Sequence, residues 1–358
     1  MKLRHVVLGC AVLAVIGCGV AVTRPLPDPR LNHWGVKDVN PATSLQSIDA
    51  ACHSTTLVAM GGPAPKDPHT LAIRWTGFAN YELVYNGQII LLDAYFDRGS
   101  TFPALGFKAA DVKKADLLLL GHGHVDHMSD AASVAKQTGA LVVGAPVTTE
   151  KLLTQGVDPA KVRTVHGRGG EIMKFNGYTV EPILGRHGEP PPKVVAAFQQ
   201  ALKETTTPPT QEQFAELMAI RARGTSDPRV ITEGTIAYLI TFDNGFRLLY
   251  RDSGGIVTDY EKAAMARVGG VDVALVAVSA SVLNTLTAQR ALEHMRVYKP
   301  DVYIPNHHDA SFNTLWRATE PLFQALKDEN PKLITVSKSY REPVCFNTEY
   351  NLQRRGNR

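Results

Sequence analysis

Three observations predict a mixed α/β (α+β) fold, with helices packed outside a mixed sheet. Short β-type runs come first, two of them joined by the dipeptide Asn86-Gly87. Strand and helix signals then alternate from Asp111 onward. Between the two regions stands Leu117–Leu120, a wholly apolar run of the kind found in strands buried on both faces. Hairpins followed by βα units put antiparallel and parallel pairing into the same architecture.

The elements justify that reading in turn. Residues 25–70 are rich in Pro, Asn, Asp and Ser, lack periodicity, and read as a loose N-terminal extension. Leu71–Trp75, Tyr81–Tyr85 and Gln88–Leu92 follow as strands, and Asn86-Gly87 suits a type I′ turn, which needs positive φ at both central residues. After Leu117–Leu120, the stretch Ser129–Thr138 reads as a helix with Ser129 or Asp130 as N-cap and Gly139 just past its end. Leu141–Val143 is the next strand and Thr148–Gln155 a short helix. Further strands are expected at Tyr178–Leu184, Gly234–Thr241, Arg247–Tyr250, Val271–Ala277 and Val302–Ile304, with helices at Asp259–Val268 and Leu286–Val297. Residues 188–229 interrupt the series. Val194, Val195, Phe198 and Leu202 share one helical face, and Thr210-x-x-Gln213 opens a second helix carrying Phe214, Leu217 and Met218. This segment reads as an inserted helical hairpin.

Composition narrows the function. With 38 basic and 34 acidic residues in 358, the net charge is +4, and without Lys2 and Arg4 it is 36 − 34, or +2. So small a balance, with no Lys/Arg blocks, argues against a nucleic-acid partner. Residues 1–24 read as an export signal, with Lys2, Arg4 and His5 ahead of the apolar run Val6–Val22. Val15-Ile16-Gly17-Cys18 resembles a bacterial lipoprotein box, in which Cys18 would carry the lipid and attach the chain to a membrane; cleavage near Ala21 or an uncleaved anchor are the alternatives. The expected location is the bacterial periplasm or envelope. There, Cys52 and Cys345 would either pair or remain two free thiols.

The chemistry is concentrated in Gly121-His122-Gly123-His124-Val125-Asp126-His127. In an extended segment, residues two apart face the same way, so His122, His124 and Asp126 converge. Three imidazoles and a carboxylate within six residues are costly to desolvate unless a cation joins them, and such N/O donors suit zinc, manganese or iron.

That segment matches in full the HxHxDH motif of the metallo-β-lactamase superfamily, and the chain resembles that family over roughly residues 71–310. Ile73-Arg74-Trp75-Thr76-Gly77 and Ile89–Asp93 resemble its opening hairpin and structural aspartate; Tyr250-Arg251-Asp252-Ser253-Gly254 and Ile304-Pro305-Asn306-His307 resemble its later ligand motifs. The most similar branch is the one holding ascorbate-6-phosphate lactonase and the N-acylphosphatidylethanolamine-hydrolysing phospholipase D, from which Phe78 departs by standing where histidine is common. The resemblance implies a four-layer αββα sandwich over residues 71–358. The 188–229 insert is a second departure from that branch, and because it begins directly after His187 it is expected to overhang the metal cleft. The resemblance also implies two divalent ions, zinc foremost. His122, His124 and His187 would hold the first, Asp126, His127 and His307 the second, and Asp252 would bridge them. His308 stands beside His307 as an alternative ligand and as a proton donor to the leaving group, with Asp126 orienting the attacking hydroxide. The implied reaction is hydrolysis of a phosphodiester, lipid-derived in keeping with the apolar insert. A lactone or carboxylic ester is the alternative, and a non-catalytic binding protein the second.

Overall fold

A computed structural model of the chain describes residues 49–189, 209–278, 285–309 and 319–349, with isolated helical positions at 192, 196 and 200. The signal segment with Cys18, the start of the extension, and the helix expected around Phe198 and Leu202 lie outside the described residues.

The first sheet is built from β1 (Thr70–Trp75), β2 (Tyr81–Tyr85), β3 (Gln88–Leu92), β4 (Leu117–Leu119), β5 (Leu141–Gly144) and β6 (Val162–Thr164). It carries the helices α1 (Val125–Met128), α2 (Ala131–Thr138) and α3 (Pro146–Thr154). The second sheet follows, from β7 (Met173–Phe175) and β8 (Tyr178–Leu184). Next come helices α4 (Gln211–Arg221) and α5 (Arg229–Glu233), strands β9 (Ile236–Phe242) and β10 (Arg247–Arg251), helix α6 (Asp259–Val268), β11 (Val273–Ala277), α7 (Thr285–Tyr298), β12 (Val302–Asn306), α8 (Thr319–Glu329) and β13 (Ile334–Thr335). Finally β14 (Pro343–Asn347) crosses back to the first sheet, where the order is β14-β1-β2-β3-β4-β5-β6; the second runs β13-β12-β11-β10-β9-β8-β7. Each sheet is antiparallel at one end and parallel at the other, as the hairpin and βα signals require.

Strand alternation creates the layers. Leu71, Ile73, Trp75, Leu83, Leu117 and Leu119 point inward to meet Val180, Tyr238, Ile240, Leu248 and Leu275 of the other sheet. The opposite face of the first sheet, with Ala72, Val84 and Leu118, is covered by Ala131, Val134 and Leu152 from α2 and α3. That of the second, with Leu239, Leu249 and Ala274, is covered by Met265, Met295, Tyr298 and Phe323 from α6, α7 and α8. The result is the four-layer sandwich. None of the described helices is long and apolar enough to cross a membrane.

Asn86 and Gly87 take φ 47° and 74°, as the type I′ turn demands, and Gly139 ends α2 at φ 72°. Two expectations need correcting. Asp130 stands at the N-cap position of α2, but its carboxylate bonds Phe96 N and Asp97 N (2.7 and 2.8 Å) and ties a loop instead of the helix. Nor is the described part of the extension loose. A disulfide joins Cys52 to Cys345 in β14, and Glu82 accepts hydrogen bonds from Val58 N and Ala59 N (3.1 and 2.8 Å). Residues 49–62 thus pack on the first sheet because a cross-link and a buried carboxylate supply what apolar periodicity does not.

Candidate metal centre

Four strands end at one edge of the sandwich. The loop after β4 brings His122 and His124, that after β8 brings His187, and Asp252 and His307 follow β10 and β12 directly. Gly121 N donates to Asp93 Oδ1 (2.8 Å), and a Cβ at Gly121 would overlap the Asp252 carboxylate, so only glycine fits between strand end and site. The extended course expected for the whole motif stops at His124 (φ −66°, ψ 159°). His127 N and Met128 N both bond His124 O at 3.1 Å, and this turn of α1 brings Asp126 and His127 round, where strand alternation was expected to place Asp126.

The arrangement offers overlapping sets of donors. His122, His124 and His187 each present a ligand atom within 4.8 Å of the others, and so do His122, Asp126 and His127. His122 Nε2 is 3.1 Å from His124 Nδ1, and the His187 ring centroid lies 4.9 and 4.7 Å from those of His122 and His124. Asp126 Oδ2 lies 3.3 Å from His307 Nε2 and 3.7 Å from His127 Nε2. Asp252 Oδ2 sits between the sets, 2.5 Å from His122 Nδ1 and 3.3 Å from His127 Nδ1. Asp93 meets the same criterion with His127 and Asp252, but its oxygens are spent on Gly121 N and on His127 Nδ1 (2.6 Å). That contact orients the His127 ring and leaves Nε2 facing Asp126, which is the usual office of a carboxylate behind a ligating histidine.

All seven expected ligands are brought together; His308 is not. Its ring stacks on Trp75 (4.3 Å, 18°) in a small cavity lined by Ile73, Tyr81, Ile304, Pro305, Lys338, Glu342 and Val344, none of them a member of the cluster. His307 takes φ 61°, and this left-handed turn sends the two histidines apart. Burial pushes His308 down to about 4. The expected proton-donor and ligand roles therefore find no geometric support. Two supports went unnoticed in the sequence, Asp309 and Arg98. Asp309 accepts from Phe78 N (2.8 Å), Arg98 Nη1 (2.7 Å) and Tyr340 OH (2.5 Å), while His307 N donates to Phe78 O (2.7 Å). The only signal was an acid directly after the His307-His308 pair.

The electrostatics suit a cation. Burial holds His122 and His187 well below the ordinary imidazole range and lowers His124 as well, so these rings favour the neutral form that binds metal. Burial would raise Asp126, but the imidazoles of His127, His307 and His124 outweigh it and hold the carboxyl well below its usual value. Burial also opposes a charge on His127, yet Asp126, Asp93 and Asp252 push it up to about 9. Asp252 Oδ1 is buried without a hydrogen-bond partner among the described residues. Imidazoles and carboxylates crowded out of water, with a carboxylate oxygen left over, fit divalent cations held by nitrogen and oxygen. His122, His127 and Asp252 form the buried floor; Asp126 keeps 30% of its side chain exposed and His307 19%, so access is from their side.

The described part of the insert borders that opening. Ile220 of α4 packs with Phe78 and Tyr95, against which Phe102 and Val125 also lie, and Thr225 N bonds Gly123 O (2.8 Å). Leu217 is buried, whereas Phe214 and Met218 are 55% and 45% exposed, so the apolar residues of this helix are split between body and solvent.

Comparison with known proteins agrees with this geometry. The model of the family described as the beta-lactamase superfamily domain matches residues 88–308. A UPF0173 metal-dependent hydrolase of Polynucleobacter asymbioticus is 24% identical over 292 residues, covering 80% of this chain and 90% of its own length. A second from Cupriavidus necator is 25% identical, covering 75% and 86%. Among solved structures, the metallo hydrolase Igni18 of Ignicoccus hospitalis is similar over 77% of this chain and 98% of its own at TM-score 0.54 and 14% identity. CmlA, a diiron beta-hydroxylase of Streptomyces venezuelae, is similar over 79% and 55% at TM-score 0.50 and 14% identity, a likeness of fold alone. With the motif, the two-sheet sandwich and the donor cluster in agreement, the chain belongs to the beta-lactamase superfamily domain family and is a metal-dependent hydrolase of the metallo-β-lactamase fold.

Proposed function

We propose that this protein is an exported hydrolase that works with two divalent ions, zinc foremost, on a lipid-derived phosphodiester. The observation that carries the reading is the pair of donor sets His122–His124–His187 and His122–Asp126–His127, with His307 Nε2 3.3 Å from Asp126 Oδ2 beside the second. His122, His124 and His187 would hold one ion, Asp126, His127 and His307 the other, and Asp252 lies where it would serve both. Bound there, such ions supply an acidified water and stabilise negative charge developing on the substrate. The chain's residues supply the order. Asp93 fixes the His127 ring, and Asp126, half-open beside His307, orients the attacking water. His308, buried against Trp75, has no part in this reading.

The lipid-derived substrate is supported by the apolar cluster of Phe78, Tyr95 and Ile220, with Phe102 and Val125 packed on it, which adjoins the site through the Phe78–His307 ring contact at 5.1 Å. Export is supported by the Cys52–Cys345 disulfide, a bond that persists in oxidising compartments. The branch of phosphodiesterases and lactonases remains our assignment within the superfamily. Because the diiron protein CmlA has a similar fold, iron is the second metal to try.

The test compares initial rates of the metal-loaded protein on a chromogenic phosphodiester and a chromogenic lactone, with a chelated control and elemental analysis of the same sample. We expect two ions per chain and chelator-sensitive phosphodiester cleavage as the faster reaction. Dominant lactone opening would replace this reading with a carboxylic-ester hydrolase, and one ion per chain would remove the dinuclear one.

A further inference from the structure

We propose that Arg251 is the positioning residue of the metal centre: its guanidinium ties the backbone that bears His187 to the backbone that bears Asp252. The proposal rests on both being ligands. Arg251 ends β10 on the same face as Leu249, pointing away from the inter-sheet core, and is 0% exposed. Each of its three nitrogens is engaged. Nε donates to Glu261 Oε1 (2.8 Å), Nη1 to Ser253 O, and Nη2 to Ile256 O (2.9 Å) and Arg186 O (3.3 Å). Two of these carbonyls belong to the loop that leaves Asp252, and the third directly precedes His187.

The surroundings are built for this union. Gly188 N donates to Ser253 Oγ (2.8 Å), and Gly255 lies so close to the other loop that a Cβ there would overlap Arg186 O. Glu261 is itself fixed by Thr258 N (2.7 Å) and Tyr298 OH (2.6 Å). Thr258 Oγ1 returns to Leu184 O at the end of β8 (2.7 Å), and His294 Nε2 donates to Gly255 O (2.9 Å). Strand pairing between β8 and β9 ends at Leu184, and that between β10 and β11 at Arg251, so beyond those points no ladder holds the loops. Buried carbonyls there need donors from elsewhere. A planar guanidinium meets several at fixed angles, which the point charge of lysine cannot reproduce.

The competing account is that Arg251 merely satisfies a buried pair and contributes stability. Zinc affinity, measured by competition with a chromogenic chelator, separates the two when compared with thermal unfolding of the metal-free chain. The variants are Arg251→Met, Arg251→Lys and Glu261→Gln, with Arg74→Met, from the buried Arg74–Glu82 pair of the first sheet, as control. We expect Arg251→Met and Arg251→Lys to bind zinc about 10–100-fold more weakly, the cost usual for groups that orient ligands, and Glu261→Gln to fall in the same direction. Arg74→Met should lower the melting temperature with zinc affinity unchanged. Should Arg251→Met fail to fold, the other two variants decide. Wild-type zinc affinity in both Arg251→Lys and Glu261→Gln would overturn the proposal, whatever their melting temperatures. Failure of the wild-type chain itself to bind zinc would instead overturn the ligand reading on which it stands.

Discussion

Among the described residues, each sheet of the sandwich buries one arginine–glutamate pair, and the two pairs serve different loops. In the first, Arg74 and Glu82 face each other across β1 and β2, both 0% exposed and 3.1 Å apart. Arg74 donates to Ala51 O (2.5 Å) and Ser54 O (3.2 Å), and Glu82 accepts from Val58 N and Ala59 N. In the second, Arg251 and Glu261 gather carbonyls and amides from the segments around His187, Asp252 and Thr258. Both pairs hold chain that leaves the strand ladder, and both meet the cost of buried charge by bonding each other and the backbone. What they hold differs: residues 51–59 carry no site residue, whereas the loops under Arg251 carry two. The same chemistry therefore holds a segment without site residues on the first sheet and the loops of the metal centre on the second.

The largest effect expected is loss of the ligands themselves. His122→Ala or Asp252→Ala should lower chelator-sensitive hydrolysis by about three orders of magnitude, because several kcal/mol of charge stabilisation disappear with the ions. Melting of the metal-free chain should change far less. Full activity in both variants would show that the catalytic centre lies elsewhere. Removing metal from the wild-type chain with a chelator should match these losses and, unlike them, be reversed by added zinc.

On the other side of the comparison, Arg74→Met leaves Glu82 buried without its partner, which costs about 3–5 kcal/mol. Urea unfolding measures that loss, and zinc competition should show none. A matching drop in zinc affinity would mean that the first sheet also sets the site and would dissolve the contrast. Cutting the disulfide with Cys52→Ser and Cys345→Ser should cost about 2–4 kcal/mol and likewise spare the site.

The contrast also marks what was legible in the sequence. Gly121–His127 declared the site because six adjacent residues carry most of its donors, and the apolar runs declared the strands because burial on two faces leaves no other composition. His187, Asp252 and His307 were found through order along the chain and resemblance, since their meeting depends on strand ends that no local pattern aligns. Arg251 and Arg74 gave no warning. A charged residue at the end of an apolar run reads as the edge of a strand, and only the position of Glu261 or Glu82 in space shows that it is buried. The same holds for residues 49–62, whose polar composition concealed a packed segment, and for His308, whose neighbour His307 lies at a left-handed backbone position that sequence does not reveal.

The smallest effect expected concerns the ionisation of Glu82. Burial raises its carboxyl above the ordinary value, although Arg74 and the amides of Ala59 and Val58 pull it back. A folded-state pKa above the unfolded one means that the chain binds this proton more tightly when folded. The stabilisation from that proton is complete below the unfolded value of about 4.3 and disappears as pH rises through the higher folded value. Glutamine keeps the shape of the protonated side chain without titrating. The stability of wild type minus that of Glu82→Gln should therefore decline as pH rises above about 4 in urea titrations, all other groups being common to both chains. A difference that grew with pH would mean that Arg74 more than compensates for burial, and that the first pair is held together by attraction that outweighs its desolvation.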